Sequence, residues 1–307
     1  MLVYEQIASP TGFNTILTNS GSMKTTGYEA ALNARVLNQP NLKWDIGVNM
    51  STYKNTIGSV PGGRIETDYA GATLLTVNGF PASQFYGYKT AGVFSTQAEA
   101  TQANLRKRNY DGSFTNYAAG DVHFVDVNGD GVIDAADRVN IGNPTPDYTG
   151  GISTRLIYKR FELNGLFTFS KGNKVYNYTR YRLEAASGVE NQLISVNNRW
   201  RYDGQVGASP KATWGDPMGN SRFSDRWIED GSYFRLRSLS LQYYIPIRNA
   251  ILKSASVYAT GNNLFTLSNY KGFDPEFSAN PSVFAQGTDM GLDPLFRNVT
   301  LGIRIGL

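Results

Sequence analysis

The end of the chain, Asn298-Val-Thr-Leu-Gly-Ile-Arg-Ile-Gly-Leu307, alternates without interruption. Val299, Leu301, Ile303, Ile305 and Leu307 fall on one side, and Asn298, Thr300, Gly302, Arg304 and Gly306 on the other. Successive side chains of a strand point to opposite faces, so this period predicts a strand with one apolar and one polar or small face. The pattern recurs in Trp44, Ile46, Val48 and Met50 against Asp45, Gly47, Asn49 and Ser51. It recurs again in Ile152, Thr154, Leu156 and Tyr158 against Gly151, Ser153 and Arg155, and in Leu239, Leu241, Tyr243 and Ile245 against Ser238, Ser240 and Gln242.

Two settings give such strands. A soluble sandwich turns its apolar faces into a core, whereas a transmembrane barrel turns them towards lipid and its polar faces towards a wet lumen. Connection lengths separate the two. Candidate strands 28–38 and 42–54 are joined by Gln39-Pro40-Asn41, 148–158 and 161–171 by Lys159-Arg160, and 233–245 and 254–264 by a short link containing Pro246. Between these pairs run long connections, 55–147, 172–232 and 265–295. Short turns at one end and long loops at the other are the asymmetry of an outer-membrane barrel, and loops of this length are uncommon in compact soluble domains. The expected fold is all-β: an antiparallel transmembrane β-barrel portion of about eight strands, counting a partial strand near Met1–Tyr4. If the last strand runs down to the periplasm, the short links are periplasmic and the long loops extracellular.

Composition excludes several alternatives. The chain has no cysteine, so it has no disulfide scaffold, zinc-thiolate site or cysteine nucleophile. Its 29 basic and 25 acidic residues are scattered, with only Arg106-Lys107-Arg108 clustered, which argues against nucleic acid. No run of about eighteen apolar residues marks a transmembrane helix. Met1-Leu-Val-Tyr-Glu-Gln-Ile7 lacks the basic and apolar regions of an export signal. No G-x-S-x-G, Walker loop or G-x-G-x-x-G after a strand is present, and the adjacent carboxylates Glu229 and Asp230 would point to opposite faces of a strand. His123, the single histidine, reads as a surface or loop-packing residue rather than a catalyst. The chain is not expected to be an enzyme.

One motif stands out within the first long connection. From Asp126 to Asp137, oxygen-bearing side chains fall at positions 1, 3, 5, 9 and 12, with Gly131 at position 6 and Ile133 at position 8. That is the layout of an EF-hand-type calcium loop. The expected ligands are Asp126, Asn128, Asp130, the Val132 carbonyl, Asp134 and Asp137. Val122 and Phe124 alternate like a strand before the loop, and Pro144 and Pro146 forbid a helix after it, so the loop lies outside a true EF-hand. Asp137 stands where the longer Glu is usual, which predicts weak, structural Ca²⁺ binding of about 10⁻⁴–10⁻³ M. The competing reading is a metal-free Asp/Asn/Gly turn. Trp200, Trp214 and Trp227, in the second long connection, are candidates for a substrate-stacking surface or for anchors between loops. Trp44 lies on the apolar register and reads as an interfacial belt residue.

Several blocks, in order, carry a resemblance: Leu17-Thr-Asn-Ser-Gly-Ser-Met-Lys-Thr-Thr-Gly-Tyr-Glu29, Gly79-Phe-Pro-Ala-Ser-Gln-Phe-Tyr-Gly-Tyr88, Gly120-Asp-Val-His-Phe-Val-Asp126 and Ile141-Gly-Asn-Pro-Thr-Pro146. Ser224-Asp-Arg-Trp-Ile-Glu-Asp-Gly-Ser-Tyr233, Gly261-Asn-Asn-Leu-Phe265 and Tyr270-Lys-Gly-Phe-Asp-Pro-Glu276 continue it. Together they resemble the C-terminal third of the SusC/RagA family of TonB-dependent outer-membrane transporters of Bacteroidetes-type bacteria. The resemblance implies a larger, 22-stranded barrel with a plug, a SusD-like surface lipoprotein as partner, a TonB complex as energy source, and import of a glycan or peptide. It makes residues 1–307 the C-terminal barrel part of such a protein, with the plug and N-terminal strands absent. Leu307 stands where such barrels usually end in an aromatic residue. A small self-contained outer-membrane pore and a soluble calcium-binding adhesion or carbohydrate-binding module remain as rival readings.

Overall fold

The computed structural model describes residues 1–6, 12, 15–207, 209–248 and 252–306. Seven long strands form one sheet, each paired with its neighbour in sequence: β1 (Ser22–Gln39), β2 (Leu42–Ser59), β3 (Tyr148–Tyr158), β4 (Phe161–Lys171), β5 (Tyr233–Ile245), β6 (Ser254–Ser268) and β7 (Asn298–Gly306). Every pairing is antiparallel. Short links join β1 to β2, β3 to β4 and β5 to β6, and the long connections lie at the opposite end. Leu307 lies outside the described residues, so the expectation for the terminal residue has no structural counterpart here.

The register lines up the alternating faces across the sheet. On one side Leu32 faces Val48, Val48 faces Ile152, Ile152 faces Phe167, Phe167 faces Leu236, and Leu236 faces Phe265. Tyr28 and Leu301 on this side are 78% and 77% exposed, and Leu32, Val299 and Ile303 are exposed as well. Among the described residues no second sheet covers this face, which removes the sandwich core required by the soluble-module reading. An uncovered apolar sheet face of this extent matches a lipid-facing wall. On the other side the row Arg35–Asp45–Arg155–Asn164–Ser240–Thr260–Thr300 crosses all seven strands.

The apolar set of β5 changes parity midway. Leu239, Leu241 and Tyr243 share the apolar face with Phe234 and Leu236, because opposite β4 the register slips between Leu166 and Phe167 and leaves Arg237 as the extra residue of a bulge. A second correction concerns the start of the chain. The partial strand expected near Met1–Tyr4 as an eighth member of the wall is Val3–Gln6, and it pairs with Thr15–Thr18 in a separate hairpin. The Met1 ammonium donates to Asn19 Oδ1 at 2.9 Å and to the Gly21 carbonyl at 2.7 Å, which holds this segment near the cap end of β1 rather than alongside it. Among the described residues β1 and β7 each have one wall neighbour, so the sheet does not close into a small pore.

The buried apolar core lies in the long connections, which together form a cap at one end of the wall. One cluster gathers Phe94, Leu105, Tyr117, Val122, Phe124, Ile133 and Met218. Another gathers Leu74, Phe85, Tyr176, Phe223, Trp227 and Ala285, drawn from all three connections. A four-stranded sheet (Arg64–Tyr69, Ala72–Val77, Gln84–Gly87, Val139–Gly142) organises the first connection. A parallel pairing of Tyr176 with Thr288 ties the second connection to the third. Two short helices, α1 (Gln97–Ala103) and α2 (Tyr178–Glu184), complete the cap. Helix α1 starts on a capping box in which the Thr96 hydroxyl accepts the Glu99 N–H and the Glu99 carboxylate accepts the Thr96 N–H.

Candidate functional site

The 126–137 loop sits between strand Val122–Phe124 and strand Val139–Gly142, with a single 3₁₀ turn, Ala135–Asp137, in place of an exit helix. Its carboxylates organise the backbone. Asp126 accepts the Gly129 and Gly131 N–H groups, each at 2.7 Å, and Asp130 accepts the Val132 N–H at 2.7 Å. Asn128 bonds Asp130 in both directions, through its amide to the Asp130 carboxylate and through its Oδ1 from the Asp130 N–H, both at 3.0 Å. Asp137 accepts Val127 N–H at 2.8 Å and Asp134 N–H at 2.9 Å, tying the two ends of the loop together. Gly131, at φ 74°, takes the left-handed conformation that the bend after Asp130 requires.

The apolar eighth position does a second job. Ile133 is buried in the cap core, and its N–H donates to the Arg106 carbonyl at 2.9 Å while Arg106 N–H donates to the Gly131 carbonyl at 2.9 Å. That isolated parallel bridge through Val132 ties the loop to the hairpin Arg106–Arg108/Phe114–Asn116. The Arg106 guanidinium lies 4.5 Å from the centre of the Phe114 ring, so the basic triplet is part of an ordered hairpin.

Whether this donor set suits a cation can be judged from burial. Asp137 is 0% exposed and forms no ion pair among the described residues; only backbone N–H groups face it. A buried carboxylate without a cationic partner is costly, and a hard cation would relieve that cost. The oxygens nevertheless do not converge: among the described residues no three acidic or imidazole groups gather in metal-holding geometry. The donor chemistry and spacing fit Ca²⁺, while the arrangement present is held by backbone donors.

The three candidate tryptophans are not brought together as a platform. Trp227 is 0% exposed; its indole N–H donates to the Arg222 carbonyl at 3.0 Å and Tyr181 packs edge-on at 5.5 Å. A ring buried in this way offers no face to a solute, so it corrects the substrate reading of Trp227. Arg180 and Arg226 lie over it at 5.6 and 4.7 Å, and burial lowers the Arg226 guanidinium to about 10. Trp200 is half-buried, donates to the Ser95 carbonyl at 2.9 Å and packs flat on Gly120, where a Cβ would come within 2.4 Å of the indole. Trp214 alone of the three is well exposed, at 75%. Trp44 donates its indole N–H to Thr154 Oγ1 at 2.9 Å on the apolar side of the wall. His123 stacks on Phe94 with ring centres 4.3 Å apart, and burial lowers its pKa below 6.5.

Charged networks that the sequence did not single out line the polar side of the wall. Near the short turns Arg35 pairs with Asp45 at 2.7 Å and Arg155 with Glu162 at 2.8 Å, and the Tyr244 hydroxyl donates to Glu162 at 2.8 Å. Near the cap Arg235 forks between Asp274, at 2.7 Å, and Glu276, at 2.5 Å, while Arg237 and the Tyr233 hydroxyl also reach Glu276. Their signal was the polar half of the alternation, but their partners lie on other strands or in a loop about forty residues away. Nothing on either network resembles a nucleophile–base pair.

The wall thus defines the class, a portion of an antiparallel transmembrane β-barrel: seven antiparallel strands with one uncovered apolar face and one polar, ion-paired face, and a folded cap at the long-loop end. No protein-family model matches the chain. Among curated proteins it is 31% identical over 309 residues to TonB-dependent receptor P3 of Formosa agariphila, an alignment covering 96% of this chain and 30% of that protein. It is 28% identical over 309 residues to TonB-dependent receptor SusC of Bacteroides thetaiotaomicron, covering 93% of this chain and 28% of that receptor. Among solved structures, that of the RagAB peptide transporter matches with a TM-score of 0.78 at 22% identity, over 99% of this chain and 31% of the other, and this likeness concerns the fold. Along nearly its whole length the chain is therefore similar to one part of TonB-dependent receptors, SusC among them, and it spans about 30% of the length of the curated relatives it matches.

Proposed function

We propose that the chain supplies a sector of the barrel wall and the outward-facing cap of an outer-membrane importer for an oligosaccharide or peptide. The observation that carries this reading is the seven-stranded sheet with one continuous apolar exposed face and one polar, ion-paired face. The apolar face would lie against lipid, the polar face would line the lumen, and the cap would meet cargo and a SusD-like surface lipoprotein. Energy would come from a TonB complex acting through the receptor's N-terminal region. Gated passage makes and breaks no covalent bond. The relatives named TonB-dependent receptor support this reading.

In the same reading, Asp126, Asn128, Asp130, the Val132 carbonyl, Asp134 and Asp137 hold a structural Ca²⁺. The ion would supply fixed positive charge to the buried Asp137 and stiffen the ties to Arg106, so that the cap keeps one shape when the lipoprotein docks. Calorimetric titration of the purified receptor should show binding in the range of about 10⁻⁴–10⁻³ M. An absence of heat at millimolar calcium sinks this part.

The import reading is tested in a bacterium carrying the receptor. Deletion of the receptor, or of TonB, should abolish uptake of a labelled cargo pool that the parent strain takes up, and the lipoprotein should co-purify with the receptor. Unchanged uptake of both oligosaccharide and peptide pools in the receptor deletion overturns it.

A further inference from the structure

Strand Arg64–Tyr69 is the outer edge of the four-stranded sheet in the cap. It turns into Ala72–Val77 through Ala70 (φ 53°) and Gly71 (φ 79°), the two positive angles of a type I′ hairpin. Such a turn makes Tyr69 and Ala72 a hydrogen-bonded pair. Alternation then directs the backbone groups of Ile65 and Thr67 inward, to Thr76 and Leu74, and those of Arg64, Glu66 and Asp68 outward. The outward row faces a groove of about 770 Å³ whose far side is the Val3–Gln6/Thr15–Thr18 hairpin. Tyr4, Ile65 and Phe284 give it apolar surface, and Glu5, Glu66 and Asp68 give it negative charge.

Charge accounting selects the occupant. Glu66 is paired with Arg64 and with Arg138, the latter at 3.6 Å. Glu5 and Asp68 have no cationic partner among the described residues, and Asp68 accepts only the Thr73 hydroxyl, at 2.7 Å. A free strand edge with unpaired backbone groups, beside uncompensated carboxylates, suits an extended chain that brings its own N–H and C=O groups and a positive side chain.

We propose that this groove binds an extended basic peptide, which adds as a fifth strand to the edge Arg64–Tyr69 and sets a basic side chain against Asp68. That the bound peptide is cargo rests on the import reading. Binding to purified receptor needs no transport, so a failed uptake assay and a failed groove are seen separately.

The test uses the complete receptor in detergent and two labelled decapeptides, (Thr-Lys)₅ and (Thr-Glu)₅, in which alternation puts every charge on one face of the added strand. The Lys peptide should bind and the Glu peptide should not. Asp68→Asn removes the charge and keeps the outward N–H; Asp68→Pro removes both while sparing the ladder to Ala72–Val77, because the lost N–H points outward. Proline should bind the Lys peptide about tenfold more weakly than asparagine does, the loss expected for one backbone hydrogen bond. Heat-modifiable mobility of each variant checks that the barrel has formed. Equal binding of the two peptides, equal affinities of the two variants, or no binding of either peptide by a correctly folded receptor overturns the proposal; the last outcome is the one expected if the groove is filled by another segment of the receptor's own chain.

Discussion

Arg235, on the wall, meets Asp274, in the third long connection, at 2.7 Å, and both side chains are almost wholly withdrawn from solvent. Arg235 also donates to Thr266 Oγ1 at 2.9 Å, and Asp274 accepts the Glu276 N–H at 3.0 Å. Each charge is compensated only while the connection 269–297 lies against the wall.

Arg235→Met should therefore leave Asp274 buried without a partner, at a cost of about 3–5 kcal/mol. The expected result is local: limited proteolysis should cut within 269–297 while the wall remains heat-modifiable in detergent. An Arg235→Met/Asp274→Leu double variant should recover much of the loss, since replacing both members of a buried pair is often close to neutral. Cleavage unchanged from the parent would assign the docking to other contacts.

Leu301 projects from β7 on the exposed apolar side, while Thr300 pairs with Thr260 on the polar side. Leu301→Arg should lower the stability of the inserted barrel by about 2–4 kcal/mol if the residue lies near the bilayer midplane. Thr300→Arg should be tolerated much better. Unfolding from lipid vesicles by denaturant measures both, and equal effects would contradict the assignment of faces.

Trp227→Ala should unseat the cap by about 3–5 kcal/mol, because the cavity would open among Tyr181, Arg180 and Arg226. Trp214→Ala should leave stability nearly unchanged, because its ring is already 75% exposed. Thermal melts of the two variants make the comparison.

The single histidine gives a pH prediction. Burial against Phe94 lowers the His123 pKa from 6.5, so the folded cap favours neutral imidazole more than the unfolded chain does. The stability this contributes is fully present above 6.5 and is lost as pH falls through the lowered value. A resolved imidazole resonance should titrate below 6.5, and His123→Gln should remove the associated acid loosening of the 122–124 strand in hydrogen exchange.

The wall was legible because its signal is local: each residue's face follows from parity, and Val299 to Ile305 needed no partner to be read. The bulge at Arg237 was not legible, since Phe234 and Leu236 look out of phase with Leu239 until the extra residue is placed. The cap was legible only as length. Phe85, Tyr176 and Trp227 come from separate segments and carry no periodicity that would announce their contact. The calcium-type loop could be found by spacing, but its bridge to Arg106 could not. Nor could residue type alone tell that Trp227 is sealed and Trp214 open to water.

The cap's core, drawn from three connections, constrains the order of assembly. Phe85, Tyr176 and Ala285 are far apart in sequence, and the loop-closure entropy between them falls once the intervening strands are paired. The wall thus acts as a template: pairing β2 with β3, β4 with β5 and β6 with β7 anchors both ends of each connection before its apolar residues meet. A receptor stalled before insertion would display two different sticky surfaces at once, the lipid face and the uncollapsed cap. Its hazard in the periplasm is therefore greater than strand hydrophobicity alone implies, and chaperone dependence should track the cap as closely as the wall.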